Sequence, residues 1–139
     1  MVKEFSNKNI KKEIKTRNTR IWLDQEGIVR SFYAPGSEET LEDAEENIAA
    51  VKKICKGKKF PIFIDPGPHK SMSREARICY VKHAPEFATA IAVVTTSSFA
   101  KVLSVFLISL NNTINKGKFP IKFFTQEDKA LAWLRDFIE

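Results

Sequence analysis

Hydrophobic and polar positions alternate along this chain with two different periods, and each change of period predicts a boundary between strand and helix. Two short apolar segments, residues 20–23 and 28–33, flank the polar stretch Asp-Gln-Glu-Gly at 24–27, which is the pattern of a β-hairpin. Pro35 and Gly36 then end the second strand. The pattern therefore predicts an antiparallel hairpin near the start of the chain.

The first helix is predicted from apolar residues that recur every three or four positions. These residues are Leu41, Ala44, Ile48, Val51 and Cys55. Acidic residues cluster at the start of this segment and lysines at its end, as the helix dipole favours. Gly57 then ends the predicted helix.

Strands and helices alternate over the rest of the chain. Strands are predicted at residues 60–64, 88–95 and 120–124, helices at 73–83, from Ser97 or Ser98 to about 110, and from the capping segment 125–128 to 138, with a loop at 111–117. The order is a hairpin followed by α-β-α-β-α-β-α, which predicts an α/β fold with a mixed, mainly parallel sheet and about four helices. We expect the first two of these strands at the sheet centre. Their side chains Ile64, Ile91 and Val93 are predicted to be almost fully buried.

Length and composition indicate a single domain over residues 1–139, because a chain of this size with 43% hydrophobic residues fills one core. The formal net charge is +6, and basic residues crowd the segment 1–18, which we predict to be solvated and frayed. The aromatic residues fall mainly on predicted core positions instead of being interleaved with the basic ones. Specific nucleic-acid binding is therefore not expected.

The two cysteines, Cys55 and Cys79, lie within helical patterns and have no paired spacing, so we expect reduced, mostly buried thiols and no metal site. Glycine-rich nucleotide-binding loops do not occur, and no cofactor is expected. The sequence has no signal-peptide pattern and no apolar run approaching the roughly 18 residues that a membrane-spanning helix needs. It predicts a cytoplasmic protein without a transmembrane segment.

The candidate functional edge is the stretch FPIFIDPGPHKSMSREAR at residues 60–77, where a strand runs into an acidic residue, a turn and a serine-capped helix. Ligands of α/β proteins settle at the carboxyl ends of parallel strands and at helix N-termini. The candidate regulatory or binding residues of this edge are Asp65, His69, Lys70, Ser71, Ser73, Arg74 and Arg77.

Each of these residues also has a purely structural interpretation. Ser73 is a good N-cap residue, and Arg74 and Arg77 suit a solvated helix face as well as they suit a phosphate or a partner carboxylate. Asp65 and His69 are weak evidence for a catalytic pair, because nothing else in the sequence completes a catalytic constellation. His83, near a helix C-terminus, is explained by the helix dipole.

The helix predicted between residues 97 and 110 is apolar almost all round. Its strongly polar interior residues are only Lys101, Ser104 and Ser109, which are too few to form a solvent-facing side. More than one side of this helix must therefore be covered by other parts of the protein or by a partner. Three interpretations stay open: a helix wedged between the sheet and its neighbours, a dimer or partner interface, and the wall of a pocket for lipid or another apolar ligand.

The order of elements, the strand ending in Asp65, the helix start Ser-Arg-Glu-Ala-Arg at 73–77 and the terminal Ala-Leu-Ala-Trp-Leu at 130–134 resemble a known family. Residues 19–138 are similar to the small bacterial STAS domains, the SpoIIAA-like anti-sigma-factor antagonists, and most similar to an uncharacterised branch of them. The resemblance implies a SpoIIAA-like fold and regulation through a serine that a partner kinase phosphorylates. The family motif is Asp-Ser-Ser/Thr-Gly, whereas Pro66 follows Asp65 here, so Ser71 and Ser73 are positional analogues only.

The resemblance and the residues together predict a non-catalytic regulatory or protein-interaction domain, with a protein partner or a homodimer as its assembly. The alternative is a domain of the same fold that binds a small apolar ligand or a lipid. An enzyme is the third interpretation, since no complete catalytic constellation is present.

Overall fold

A computed structural model describes residues 13–139, in which a six-stranded sheet has helices on both of its faces. The strands lie in the order β1-β2-β3-β5-β7-β8, and they span Glu13–Lys15 (β1), Thr19–Leu23 (β2), Val29–Tyr33 (β3), Phe60–Asp65 (β5), Ala88–Val94 (β7) and Ile121–Phe124 (β8). The pairs β1/β2 and β2/β3 are antiparallel, and the pairs β3/β5, β5/β7 and β7/β8 are parallel. The predicted mixed sheet and its two central strands are confirmed.

Four α-helices connect the strands, and three of them begin at a side-chain cap. The helices are α1 (Leu41–Cys55), α2 (Arg74–His83), α3 (Ser98–Ile114) and α4 (Glu127–Arg135), with a 3₁₀ turn at Ala84–Glu86. Thr40 and Asp43 form a capping box at α1, and Ser73 and Ser97 accept backbone N–H groups at α2 and α3. The caps predicted for α2 and α3 are confirmed.

The strands alternate their side chains between two hydrophobic clusters, one on each face of the sheet. One face packs against α1 and α2 through residues such as Ile21, Ile48 and Ile62. The opposite face packs against α4, where Phe63 and Leu134 are fully buried. Successive residues of β5, Ile62 and Phe63, thus belong to different clusters, which fixes the register of this central strand.

A second, two-stranded parallel sheet lies beside the main one and was not predicted from the pattern. It joins β4 (Glu38–Glu39), which precedes α1, to β6 (Ser71–Met72), which precedes α2. Each strand is two residues long, too short to show a hydrophobic period. The small sheet nevertheless ties the loop after β5 to the start of α1.

The prediction of a frayed N-terminal segment is wrong for its last residues. Glu13–Lys15 forms β1, which pairs with β2, and Arg17 makes an ion pair with Asp43 at 2.8 Å. The edge strand adds backbone hydrogen bonds that compensate for the unfavourable ordering of a charged segment. Residues 1–12, which complete the basic segment, lie outside the described residues.

Two predicted boundaries are also wrong. The segment 111–114 belongs to α3 and not to a loop, because the amide of Asn111 donates to the Phe119 carbonyl at 2.6 Å and Asn115 donates to the Val81 carbonyl at 3.1 Å. These distant partners satisfy polar side chains that otherwise favour turns. The last helix ends at Arg135, three residues before the predicted end at 138.

The burial predicted for the sheet centre is correct for Val93 and wrong for Ile64 and Ile91, which are half-buried. Both isoleucines pack against the core cluster of this face and line a cavity. Cys55 is buried and Cys79 is half-buried, both as free thiols. Over the described part of the chain, no helix has the length and apolar character needed to cross a bilayer.

Replacing Leu134 by Ala is expected to lower the free energy of unfolding by about 2–5 kcal/mol, because it opens a void where α4 meets the sheet. Leu41→Ala, also in a helix but at a leucine with 37% exposure, is the matched control and should change it by less than about 0.5 kcal/mol. Urea unfolding of both variants measures the difference. Equal losses would show that α4 does not cover this face.

Candidate functional site

The edge predicted from the sequence begins with a tight turn after β5. The Asp65 carboxylate accepts the backbone N–H of Gly67 at 3.0 Å. Gly67 has a positive φ of 59°, and a Cβ at this position would lie 3.1 Å from the Tyr33 carbonyl oxygen. A glycine is therefore required by both backbone conformation and space, and Asp65 serves to hold the turn.

The polar residues of the following segment point in different directions. Lys70, Ser71 and Arg74 are exposed, and Lys70 lies 3.1 Å from Glu38 in a surface ion pair. Ser71 is part of β6, two residues before the N-cap of α2. Ser73 is the N-cap, and its hydroxyl accepts the Ala76 N–H at 3.1 Å.

Arg77 links this edge to α3. Its guanidinium donates to the Met72 carbonyl at 2.8 Å and lies 5.9 Å from the centre of the Phe106 ring. The hydrogen bond and the cation–π contact hold Arg77 against the protein, whereas Arg74 is free to extend into solvent. The two arginines thus do not form a common phosphate-binding pair in this arrangement.

His69 is turned inward, and the Asp65–His69 pair considered from the sequence does not form. Its Nε2 lies 2.8 Å from a carboxylate oxygen of Glu39, and its Nδ1 lies 2.7 Å from the Pro66 carbonyl oxygen. The side chains of His69 and Glu39 are both 0% exposed. Both ring nitrogens are therefore committed to partners other than Asp65.

Three further side chains complete a buried polar cluster around Glu39. The Tyr80 hydroxyl donates a short hydrogen bond to the second carboxylate oxygen of Glu39 and accepts from the Asn47 amide at 2.8 Å. The Tyr33 hydroxyl donates to Tyr80 at 3.2 Å. We call Tyr33, Glu39, Asn47, His69 and Tyr80 the polar cluster; they come from β3, β4, α1, the loop after β5, and α2.

The bonding pattern determines the charge of the imidazole. A carbonyl oxygen only accepts, so His69 Nδ1 carries a hydrogen, and Nε2 faces the Glu39 carboxylate. Burial lowers the pKa of His69, but the hydrogen bonds to Glu39 and to the Pro66 carbonyl outweigh it, so the pKa is raised overall. The pair is therefore a buried imidazolium–carboxylate ion pair.

The two tyrosines of the polar cluster stay protonated. Burial raises the pKa of the Tyr33 hydroxyl, and the nearby Glu39 charge raises it further. Burial and neighbouring groups, Tyr33 and Glu39 among them, raise the pKa of Tyr80 well above its usual value. Both hydroxyls thus serve as hydrogen-bond donors rather than as bases.

Sequence reasoning missed Glu39, Tyr80, Tyr33 and Asn47. The sequence pattern marks Glu39 only as one of the acidic residues before α1, which complement the helix dipole. Its partner His69 is 30 positions away, and no periodic pattern links two such residues. The one local signal was His69 itself, a titratable residue close behind a strand end.

An apolar cavity of about 90 Å³ adjoins the polar cluster, between the sheet and helices α1, α2 and α3. Its sheet wall includes Ile64, Ile91 and Ile121, all half-buried, and its α3 wall includes Leu103 and Leu107. Tyr33, His69 and Tyr80 of the polar cluster are also among its lining residues. At about 24 cal/mol per Å³, a void of this size forgoes roughly 2 kcal/mol of packing free energy.

The opposite, outward face of α3 is apolar and exposed. Phe99, Val102, Val105 and Phe106 are 42–56% exposed and follow one another at helical spacing. The inward face holds Ala100, Leu103 and Ser104. The apolar character that the sequence shows all round α3 is thus divided between a cavity wall and an uncovered outer surface, which we call the α3 face.

A family model for a domain of unknown function, DUF7793, matches residues 21–138. The chain belongs to the DUF7793 family. The match includes the whole polar cluster, the cavity and the α3 face. No curated protein matches the chain. Over residues 13–139, no group of three or more His, Cys, Asp or Glu residues is placed to hold a metal ion.

Two solved structures are similar to this chain. One is an uncharacterised DUF3478-family protein with a SpoIIAA-like fold from Shewanella loihica PV-4, with 18% identity, a TM-score of 0.54, and coverage of 88% of this chain and 90% of that one. The other is a protein of unknown function from Arthrobacter sp. FB24, with 33% identity, a TM-score of 0.32, and coverage of 82% and 96%. The first confirms the predicted SpoIIAA-like fold.

Replacing Glu39 by Ala is expected to lower the free energy of unfolding by about 3–5 kcal/mol, because it leaves the His69 imidazole without its buried partner. Glu38→Ala is the matched control, since the adjacent glutamate makes only an exposed pair with Lys70, of a kind worth less than about 1 kcal/mol. Urea unfolding at one pH compares the two. Similar small losses in both variants would contradict the buried ion pair.

Raising the pH is expected to destabilise the folded protein through His69. Because the pKa of His69 is raised above its unfolded value of about 6.5, the ion pair contributes fully below that pH, and its contribution is lost as pH rises through the folded-state pKa. Urea unfolding from about pH 6 to pH 9 measures this slope. His69→Gln should flatten it, and His83→Gln, at the exposed histidine, should retain it. An unchanged slope in His69→Gln would refute this assignment.

Proposed function

We propose that the chain is a non-catalytic protein-interaction domain that docks through the α3 face. The observation that supports this function best is the exposure of four large apolar side chains on one side of one helix. Contiguous apolar surface of this kind is rare on monomeric proteins and is typical of interaction sites. The fold, similar to an uncharacterised SpoIIAA-like protein, is compatible with this role.

The state of the polar cluster favours a non-catalytic role. Glu39, His69 and Tyr80 are the groups best suited to acid–base chemistry, yet their acidic and basic atoms bond to one another or to the backbone. A general base must reach a substrate proton at hydrogen-bond distance. The side chains of Glu39 and His69 are 0% exposed and already hydrogen-bonded, so their proposed role is to hold β4 and the loop after β5 together.

A second copy of the chain is the partner that we propose for the α3 face. The helix contains one charged residue, Lys101, so two such faces can meet without confronting many like charges despite the net charge of +6. A two-fold contact would bury the same apolar side chains on both copies. This assembly is one of the two that the sequence predicts, which are a homodimer and a contact with another protein.

The edge at residues 65–77 is the proposed regulatory surface of this domain. Ser71 is an exposed hydroxyl, and Arg77 connects the same segment to Phe106 on the α3 face. A phosphate on Ser71 would add nearly two negative charges within reach of Lys70 and Arg74. Because Arg77 donates to the carbonyl of Met72, the residue after Ser71, we propose that this charge shifts Arg77 and thereby changes the α3 face around Phe106.

Val105→Glu is expected to weaken self-association at least 10-fold, because it places a charge in the centre of the apolar contact. Leu41→Glu, at an exposed apolar residue of α1 instead of α3, should leave the dimer constant unchanged. Sedimentation equilibrium at micromolar concentration measures both. Replacing Ser71 by Glu, with Ser71→Ala as its control, tests the regulatory edge in the same measurement.

A wild-type chain that sediments as a monomer over this whole range would exclude the second copy as partner. Equal dimer constants for wild type and Val105→Glu would exclude the α3 face while leaving another surface as the interface. Identical constants for Ser71→Glu and Ser71→Ala would remove the regulatory role from the edge and leave Ser71 as a residue of β6.

A further inference from the structure

We propose that the cavity between the sheet and helices α1 to α3 binds an uncharged hydrocarbon segment. This site is separate from the α3 face, which lies on the other side of the same helix. The proposal rests on the apolar chemistry of the walls, on four aliphatic side chains that stay half-buried there, and on the hydrogen bonds that already engage Tyr80, His69 and Ser104.

The walls of the cavity match a hydrocarbon. Ile64, Ile91 and Ile121 come from three neighbouring parallel strands, and all three remain half-buried although this face of the sheet is covered by helices. Leu107 of α3 faces them and is half-buried as well. Interior aliphatic side chains normally contact other side chains on every side, so these four have surface available for an apolar occupant.

Water is a poor occupant of this cavity. A buried water needs two to four polar partners, and an apolar cavity of similar kind stays dry and takes up small apolar molecules. The Tyr80 hydroxyl already donates one hydrogen bond and accepts two, and both nitrogens of His69 are engaged. The hydroxyl of Ser104 donates to the Ala100 carbonyl within its own helix.

Charged ligand groups do not fit inside the cavity. Its ionisable lining residues are Tyr33, His69 and Tyr80, and the charge of His69 is neutralised by Glu39. A carboxylate or phosphate placed inside would lose its hydration without gaining a free donor, which costs several kcal/mol. The occupant is therefore the uncharged part of a molecule.

The size and the opening of the cavity limit the occupant further. A volume of about 90 Å³ exceeds the roughly 10–15 Å³ that one water needs and is smaller than the 150 Å³ cavity known to hold benzene. The cavity is partly open to solvent. A small free hydrocarbon can thus fill it, and so can the end of an alkyl chain whose polar group stays outside.

Methyl NMR of the full chain tests the proposal, with cyclopentane as the free hydrocarbon and octanoate as the alkyl chain with a charged end. We expect saturable shifts of the Ile64, Ile91 and Leu107 methyl groups and a rise of a few degrees in melting temperature near saturation. Binding of octanoate alone indicates an alkyl end with its head outside. Binding of cyclopentane alone indicates a free small molecule, and binding of both indicates a site open to either.

Two variants that fill the cavity separate it from other apolar surfaces. Ile91→Phe from the sheet and Leu107→Phe from α3 should each weaken binding at least 10-fold, with Leu131→Phe as the matched control. Leu131 is half-buried against the opposite face of the sheet, so its variant should bind as wild type does. Melting curves show whether each variant folds. If one of the two cavity-filling variants does not fold, the remaining one is compared with wild type.

The proposal is overturned if neither probe shifts the three methyl groups at saturation, or if the folded cavity-filling variants bind as wild type. Shifts limited to Val102 and Val105 would also overturn it, because they would show adsorption to the α3 face. Self-association is measured separately by sedimentation, so loss of the cavity site and loss of the docking function are distinguishable.

Discussion

The buried ion pair of Glu39 and His69 is the interaction on which the arrangement around the cavity depends. Two charges with 0% exposure are stable only when each is paired and hydrogen-bonded, and here the carboxylate binds both the imidazolium and the Tyr80 hydroxyl. Through Tyr33 and Asn47 the same cluster reaches β3 and α1. Five elements that share no local sequence pattern are thereby held in one position relative to each other.

The small sheet of β4 and β6 follows from this constraint. Its backbone pairing places Glu39 beside Met72, while the loop between β5 and β6 carries His69 inward. The loop residues expected to form an exposed functional edge are consequently divided, with His69 in the interior and Ser71 and Arg74 at the surface. The buried histidine thus fixes the position of a segment whose other polar side chains remain at the surface.

Helix α3 has two roles because both of its sides are apolar. Its inward residues complete a cavity that the sheet isoleucines do not fill, and its outward residues form the α3 face. A helix with apolar residues all round is normally buried on every side. In this fold the sheet covers one side only, so the other side stays exposed, and Arg77 against Phe106 connects that exposed side to the edge.

The sequence by itself determined the order of elements, the two central strands and the cap at Ser73, because periodicity, turns and caps are local properties of the chain. It placed the α3 cap at Ser97 or Ser98, and its resemblance to a known family implied the SpoIIAA-like fold. Only the tertiary structure decided that Glu39 meets His69, that Ile64 and Ile91 face a cavity, and that α3 continues to Ile114. Each of these depends on contacts with residues outside the segment itself. The distances between these contacting residues are set by how the helices pack on the sheet. The residue pattern within a single segment does not determine that packing.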